Sequence, residues 1–166
     1  MPPTSVQTGQ QQAVPVEMFR FEQEFAGSLR CIPMTVRFKL DRCGIKLSLR
    51  QWSRFDQPER TRLLEQPCEE RTEIELWRRE LEELIRMRSS QPAENLPVEL
   101  DPPWADANRV PQQLADFATG LKIAPPSPQQ WAALSPLQRF TLLKLSRAKH
   151  DNVNFIPAMR EFGLLE

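Results

Sequence analysis

Residues 40–64 read LDRCGIKLSLRQWSRFDQPERTRLL, and an altered version returns at residues 116–143 as DFATGLKIAPPSPQQWAALSPLQRFTLL. Each version runs from a glycine, Gly44 or Gly120, through a tryptophan to a Leu-Leu pair. From the tryptophan onward the two versions align without a gap, and three extra residues before the second tryptophan fit a loop insertion. The repetition predicts two similar helical units in one α-helical bundle.

The glycine of each version has the context of a helix end. Gly44 and Gly120 follow stretches of helical character and precede apolar residues. This arrangement predicts a left-handed C-terminal cap, because glycine adopts positive φ without a side-chain clash. Two capping boxes at the required spacing then start the helices that carry the Leu-Leu pairs: Asp56 with Glu59, and Ser135 with Gln138.

The predicted fold is all-α, a compact bundle of about seven or eight helices built from two similar helix–glycine–short helix–helix units. Residues 1–16 carry no charge and little apolar content, which predicts a disordered tail over residues 1–17. Residues 18–166 are expected to form a single helical domain. Its parts are unit one (28–66), a long helix (69–88), a proline-rich connector (89–110), unit two (111–147) and a C-terminal helix (154–163).

Residues 34–41, MTVRFKLD, fit two kinds of secondary structure. Apolar and polar side chains alternate strictly, as in a half-buried strand. The flanking residues favour a helix, because Pro33 stands where a helix begins and Gly44 where one ends. The matching part of unit two is also plainly helical. We therefore predict a helix that is buried on two sides.

Charge is unevenly distributed although the formal net charge is zero. Residues 18–54 hold eight basic and three acidic side chains, whereas residues 55–101 hold seven basic and thirteen acidic ones. Without an overall positive field, the chain is a poor candidate for sequence-independent nucleic-acid binding. Three cysteines without zinc or redox spacing, no signal peptide and no long apolar run predict a cytoplasmic protein without membrane contact.

Patterns typical of catalysis or metal binding are missing from the sequence. His150 is the one histidine, and five glycines stand singly rather than in a phosphate-binding loop. A lone histidine in KHDNVN, residues 149–154, is more typical of a hydrogen-bonded surface loop than of a catalytic site. We therefore predict a protein that is not an enzyme and has no cofactor or metal.

Two regions are candidates for binding a partner. A basic cluster in unit one fits an acidic surface if its side chains share a face, but they could equally be the wet sides of separate helices. A tryptophan beside a proline-rich loop usually anchors that loop, and less often is an interface hot spot. The candidate partner-binding residues are Arg30, Arg37, Lys39, Arg42, Lys46, Arg50, Trp104, Lys149, His150 and Asn152.

Long phrases of the chain resemble a known family. SLRCIPMTVRFKLDRCGIKLSLRQW (28–52), PPWADANRVP (102–111) and LSPLQRFTLLKLSRAKHDNVNFIPAMREFG (134–163) are similar to the cyanobacterial nitrate-reductase-associated protein family. The resemblance covers residues 19–164 and leaves out the tail. It implies an association with assimilatory nitrate reductase, a molybdopterin and iron–sulfur enzyme, or with its molybdenum-cofactor machinery.

The function implied by this resemblance is that of a non-enzymatic accessory or assembly factor, which supports active nitrate reductase through protein–protein contact. The family brings no established catalytic residues to carry over. The alternative is a regulatory helical module that binds a signalling protein or nucleic acid through the N-terminal basic cluster, although the neutral net charge disfavours nucleic acid.

Overall fold

Helix α1 (Met34–Cys43) is the central element, and the prediction of a helix buried on two sides is confirmed. Residues two apart on a helix project about 200° apart, so strict alternation places apolar side chains on opposite faces. Val36 and Leu40 pack into one hydrophobic cluster, whereas Met34 and Phe38 pack into another. The pattern that suggested a strand is the pattern of a helix between two cores.

The computed structural model describes residues 18–23, 29, 31–147 and 152–166, and the predicted disordered tail lies outside them. Within these residues the chain forms eight α-helices and one two-stranded ladder, so the all-α prediction is confirmed. Whether the two units are a true internal repeat stays a prediction.

The first cluster is built by α1 and the elements that follow it: β1 (Ile45–Lys46), α2 (Leu49–Ser53), α3 (Gln57–Glu65) and α4 (Arg71–Arg88). Its tryptophans, Trp52 and Trp77, are fully buried. Each indole donates to a backbone carbonyl, Trp52 to Leu29 at 2.7 Å and Trp77 to Leu63 at 3.0 Å. These bonds satisfy the one polar group that each large side chain takes into the core.

The second cluster is built by α1 and the C-terminal half: α5 (Gln112–Gly120), α6 (Pro128–Ala133), α7 (Pro136–Arg147) and α8 (Phe155–Glu161). Helix α7 packs against α1, α5 and α8 and is the best-buried helix of this half. Trp131 is fully buried and donates to the carbonyl of Asp106 at 2.9 Å, which fastens the loop before α5.

The connector between α4 and α5 contains a short strand that the sequence did not predict. Strand β2 (Glu94–Asn95) pairs antiparallel with β1, in the register Ile45↔Asn95. The connector then enters a 3₁₀ turn at Pro103–Ala105. A two-residue strand is too short to leave a periodic pattern, so sequence reasoning could not have detected it.

The left-handed cap predicted at Gly44 is confirmed, with φ at 70°, but the one predicted at Gly120 is wrong. Helix α5 includes Gly120, and the left-handed residue is Lys122, with φ at 61°. The amide of Ile123 donates to the carbonyl of Ala118 at 3.1 Å, and Ile123 packs against the second cluster. The helix therefore ends where the next apolar side chain can reach the core.

Local capping is otherwise as expected. Both predicted capping boxes form, and two more start the short tryptophan-bearing helices α2 and α6. The additional boxes have the same S-x-x-Q spacing and were readable in the sequence. They join Ser48 with Gln51, and Ser127 with Gln130.

Candidate functional site

Lys39, a predicted partner-binding residue, points into the protein. It is 8% exposed, and its Nζ atom donates to the carbonyls of Leu63, Leu64 and Gln66 at 3.2, 2.6 and 2.6 Å. These carbonyls lie at the C-terminal end of α3, where the backbone has no intrahelical donors. Burial lowers the pKa of Lys39 to about 8. Its position is that of a helix-capping residue inside the fold.

Arg37 and Arg42, also members of the predicted cluster, make backbone contacts from α1. The Nε atom of Arg37 donates to the carbonyl of Ile32 at 3.1 Å. Arg42 donates to the carbonyl of Cys68 at 2.9 Å, and its guanidinium lies 4.1 Å from the centroid of the Phe38 ring. Both side chains are half-buried, so these contacts use part of their binding capacity.

The remaining members of the cluster lie farther along the chain. Lys46 is exposed and pairs with Glu94 across the β-ladder at 3.4 Å. Arg50 is exposed on α2. Arg30 lies outside the described residues. The structure therefore does not present Lys39, Arg42 and Lys46 as one free basic face, and nucleic-acid binding through this cluster stays a prediction.

The predicted loop candidates are largely outside the described part of the chain. Lys149 and His150 are among the residues not described, and Asn152 is described only as the start of a 3₁₀ turn. Within the described residues, no group of three or more His, Cys, Asp or Glu side chains is placed to bind a metal ion. None of the described helices combines the length and apolar character needed to cross a membrane.

Trp104 is half-buried at the end of the connector. Its ring packs edge-on against Phe38, with centroids 4.9 Å apart, and against Phe140 at 6.2 Å. Its carbonyl accepts a hydrogen bond from Arg139 Nε at 2.8 Å. Trp104 thus anchors the connector to both α1 and α7, and one side of it stays accessible.

Beside Trp104 lies a concave site that sequence reasoning missed. This connector groove has a volume of about 480 Å³ and lies between the connector and the facing parts of α1 and α4. Its apolar lining comes from Leu40 and Ile74 on the helices, and from Leu96, Val98 and Leu100 on the connector. A signal for the groove does exist in the sequence: LPVEL, residues 96–100, carries three apolar side chains at alternate positions within the proline-rich connector.

The rim of the connector groove is acidic. Asp41, Glu69 and Glu99 line it, with Arg42 as the one basic lining residue. Burial raises the pKa of Asp41, Lys144 acts against that shift, and Glu99 adds to it. An adjacent cleft of about 770 Å³ has balanced charges instead, with acidic and basic residues in equal number: Asp101, Asp106, Arg109 and Arg147.

The groove offers apolar surface and carboxylates to a ligand. The nearby thiols of Cys43 and Cys68 are buried, which raises their pKa values to about 12 and about 11. Thiols with raised pKa values are poor nucleophiles at neutral pH. An apolar floor with a carboxylate rim is suited to holding a segment of another protein.

Most of the chain matches the model of a known protein family. The family model of the conserved nitrate reductase-associated protein matches residues 18–162, which include α1, both hydrophobic clusters and the connector groove. Searches of curated proteins and of solved structures found no significant match. The chain belongs to the family of conserved nitrate reductase-associated proteins.

Proposed function

We propose that this protein is a non-enzymatic accessory factor that binds nitrate reductase and supports the assembly or stability of the active enzyme. The observation that carries the proposal is the family match over residues 18–162, because the family is described by its association with nitrate reductase. In this proposal the protein acts in the cytoplasm, and the free thiols of Cys31, Cys43 and Cys68 fit a reducing compartment.

The contacts of three buried or half-buried basic side chains fit such a role. Lys39, Arg60 and Arg139 donate to backbone carbonyls and hold segments of the fold together. The connector groove adds accessible apolar and acidic side chains. A factor of this kind stabilises the reductase by mass action, because it binds the folded enzyme or a folded precursor and not the unfolded chain.

Deletion of the gene tests the proposal in a host that assimilates nitrate. We expect nitrate reductase activity to fall several-fold while the reductase transcript is unchanged. Reductase protein level and molybdopterin content then separate loss of enzyme stability from loss of cofactor loading. Full activity with normal cofactor content in the deletion strain would contradict the proposal.

Complementation tests the non-enzymatic part of the proposal. A His150→Ala variant should restore activity as well as the wild-type protein does, because binding does not need a titrating imidazole. Loss of complementation by a folded His150→Ala variant that still binds the reductase would instead favour an enzymatic role. Binding of the purified protein to purified reductase, measured by calorimetry, checks direct contact, whereas binding to a molybdenum-cofactor protein alone would assign the factor to that machinery.

A further inference from the structure

The connector groove exposes an unusual run of apolar side chains. Leu96 and Val98 are each 47% exposed, and Leu100 is 91% exposed, more than any other large apolar side chain within the described part of the chain. Single exposed apolar residues are common on protein surfaces. Three at alternate positions beside a groove form a contiguous patch, which is typical of a binding surface.

This patch is held in a fixed position at its N-terminal end. The amide of Leu96 donates to the carbonyl of Gly44 at 2.8 Å, next to the β1–β2 ladder. A Cβ atom on Gly44 would lie 2.6 Å from the Leu96 oxygen and 2.8 Å from Val98 Cγ2. The connector can lie this close to the end of α1 only because residue 44 lacks a side chain.

The C-terminal end of the patch is fixed by Trp104, whose ring and carbonyl contact Phe38 and Arg139 as described above. A surface fixed at both ends loses little conformational entropy when a partner binds. The exposed apolar side chains are therefore presented by a preorganised segment.

Strand addition is not the binding mode that this segment favours. Leu96 uses its amide toward Gly44, so the neighbouring position on the free edge is Pro97. Proline has no amide hydrogen and cannot donate to an added strand. Recognition of the partner's side chains is therefore favoured over recognition of its backbone.

The charges at the groove indicate the chemistry of that partner. Residues 89–108 contain four acidic residues and no lysine or arginine. Asp41 and Glu69 add carboxylates from the opposite wall. The guanidinium of Arg42 is occupied by the Cys68 carbonyl and the Phe38 ring. Lys144 and Arg147 line a neighbouring cleft together with Asp41 and Glu99. These three cations offset the six carboxylates only in part. An acidic rim around an apolar floor favours partners with complementary basic charge.

We propose that the connector groove binds a segment of nitrate reductase in which apolar side chains are flanked by Lys or Arg. This assignment rests on the proposed function. Apolar contacts with Leu96, Val98 and Leu100 supply affinity, and the carboxylates of Asp41 and Glu99 fix orientation and speed association.

Substitutions at the patch test the assignment in binding assays with purified reductase. A Leu100→Glu variant should bind at least about ten-fold more weakly, because it places a charge where apolar contact is needed. Leu76→Glu is the matched control, because Leu76 is 57% exposed on the outer side of α4 and should leave binding unchanged. Thermal unfolding of both variants should match the wild type, since neither side chain is buried.

Charge reversal tests the role of the carboxylates at the groove. A Glu99→Lys variant should bind several-fold more weakly at low salt, and this difference should shrink at high salt because exposed charges are screened. A photocrosslinker at position 100 should attach to a reductase peptide with an excess of Lys and Arg. Attachment to an acidic peptide would overturn the charge assignment.

The outcomes separate this inference from the proposed function. If the wild-type protein does not bind the reductase, the proposed function fails. If it binds, and Leu100→Glu binds as tightly as Leu76→Glu, the accessory role stands and the groove assignment is wrong. If Leu100→Glu abolishes self-association of the chain without weakening reductase binding, the groove is an interface between two copies, which also overturns the assignment.

Discussion

Unit one and unit two have similar sequences, but their second long helices, α3 and α7, end differently. In unit one, α3 ends before Pro67, and Lys39 supplies donors to the carbonyls at its end. In unit two, the residue aligned with Pro67 is Ser146, so α7 continues to Arg147 and the carbonyls of Leu142 and Leu143 lie within the helix. The residue aligned with Lys39 is Ala115. The buried lysine of unit one meets carbonyls that the helix itself leaves without donors.

Gly44 and Gly120 also hold matching sequence positions in different structural surroundings. Gly44 has positive φ and lies against the connector, whereas a Cβ atom on Gly120 would meet nothing within 4 Å. The same residue type in the same sequence context is therefore required in one unit and replaceable in the other. Contact with a distant segment, rather than local sequence, makes the difference.

The largest expected effect comes from alanine at the two glycines. Gly44→Ala combines the left-handed conformation with a clash against the Leu96 oxygen and should lower the free energy of unfolding by about 2–5 kcal/mol. Gly120→Ala should raise it by up to about 1 kcal/mol, because alanine favours the helix and the space is open. Denaturant unfolding measures both, and equal effects of the two changes would refute the contrast.

Removal of the Lys39 ammonium should have the next largest effect. Lys39→Met leaves the carbonyls of Leu64 and Gln66 without a donor, because the Leu63 carbonyl keeps the Trp77 indole, and it should lower the free energy of unfolding by about 2–4 kcal/mol. Lys46→Met is the control, because the exposed Lys46–Glu94 pair should contribute less than about 1 kcal/mol. Similar losses in the two variants would show that Lys39 does not cap α3.

Lys39 also predicts a pH dependence. Its pKa in the folded protein is about 8, below the ordinary value of 10.5, because of burial. Between these values the unfolded chain binds more protons, so the Lys39 contribution to stability rises with pH in this interval and falls as pH drops through about 8. The stability difference between wild type and Lys39→Met should widen from about pH 7 to about pH 9.5, and a constant difference would contradict the assignment.

A smaller contrast is expected between the arginines of the two units. Arg139 is 6% exposed and donates to the carbonyls of Trp104 and Leu134, whereas Arg60 is half-buried and donates to Leu29 and neighbouring carbonyls. Arg139→Met should lower the free energy of unfolding by about 1–2 kcal/mol more than Arg60→Met does. Water can replace the lost donor at the Arg60 site, which is the more open of the two. Urea unfolding of the two variants measures the difference. A larger loss of stability in Arg60→Met than in Arg139→Met would contradict this prediction.

Several features of the fold were predictable from short stretches of sequence. The capping boxes join residues three apart, such as Asp56 with Glu59, and their hydrogen bonds are decided within one helical turn. The apolar stripe of α4 places Trp77, Leu81 and Ile85 in the core as its period predicts. The capped helix starts and the buried face of α4 were therefore determined by local sequence, whereas the end of α5 was not.

The tertiary structure alone decided what the basic residues and the connector do. Lys39 bonds to carbonyls 24 to 27 residues away, and Trp104 is fixed by Arg139, 35 residues later. No local pattern encodes which distant carbonyl lacks a donor, or which exposed leucine borders a groove. Local hydrogen bonding and periodicity determined most of the helices, whereas long-range packing decided that Lys39 of unit one supports the fold and that three apolar side chains of the connector stay accessible beside a groove.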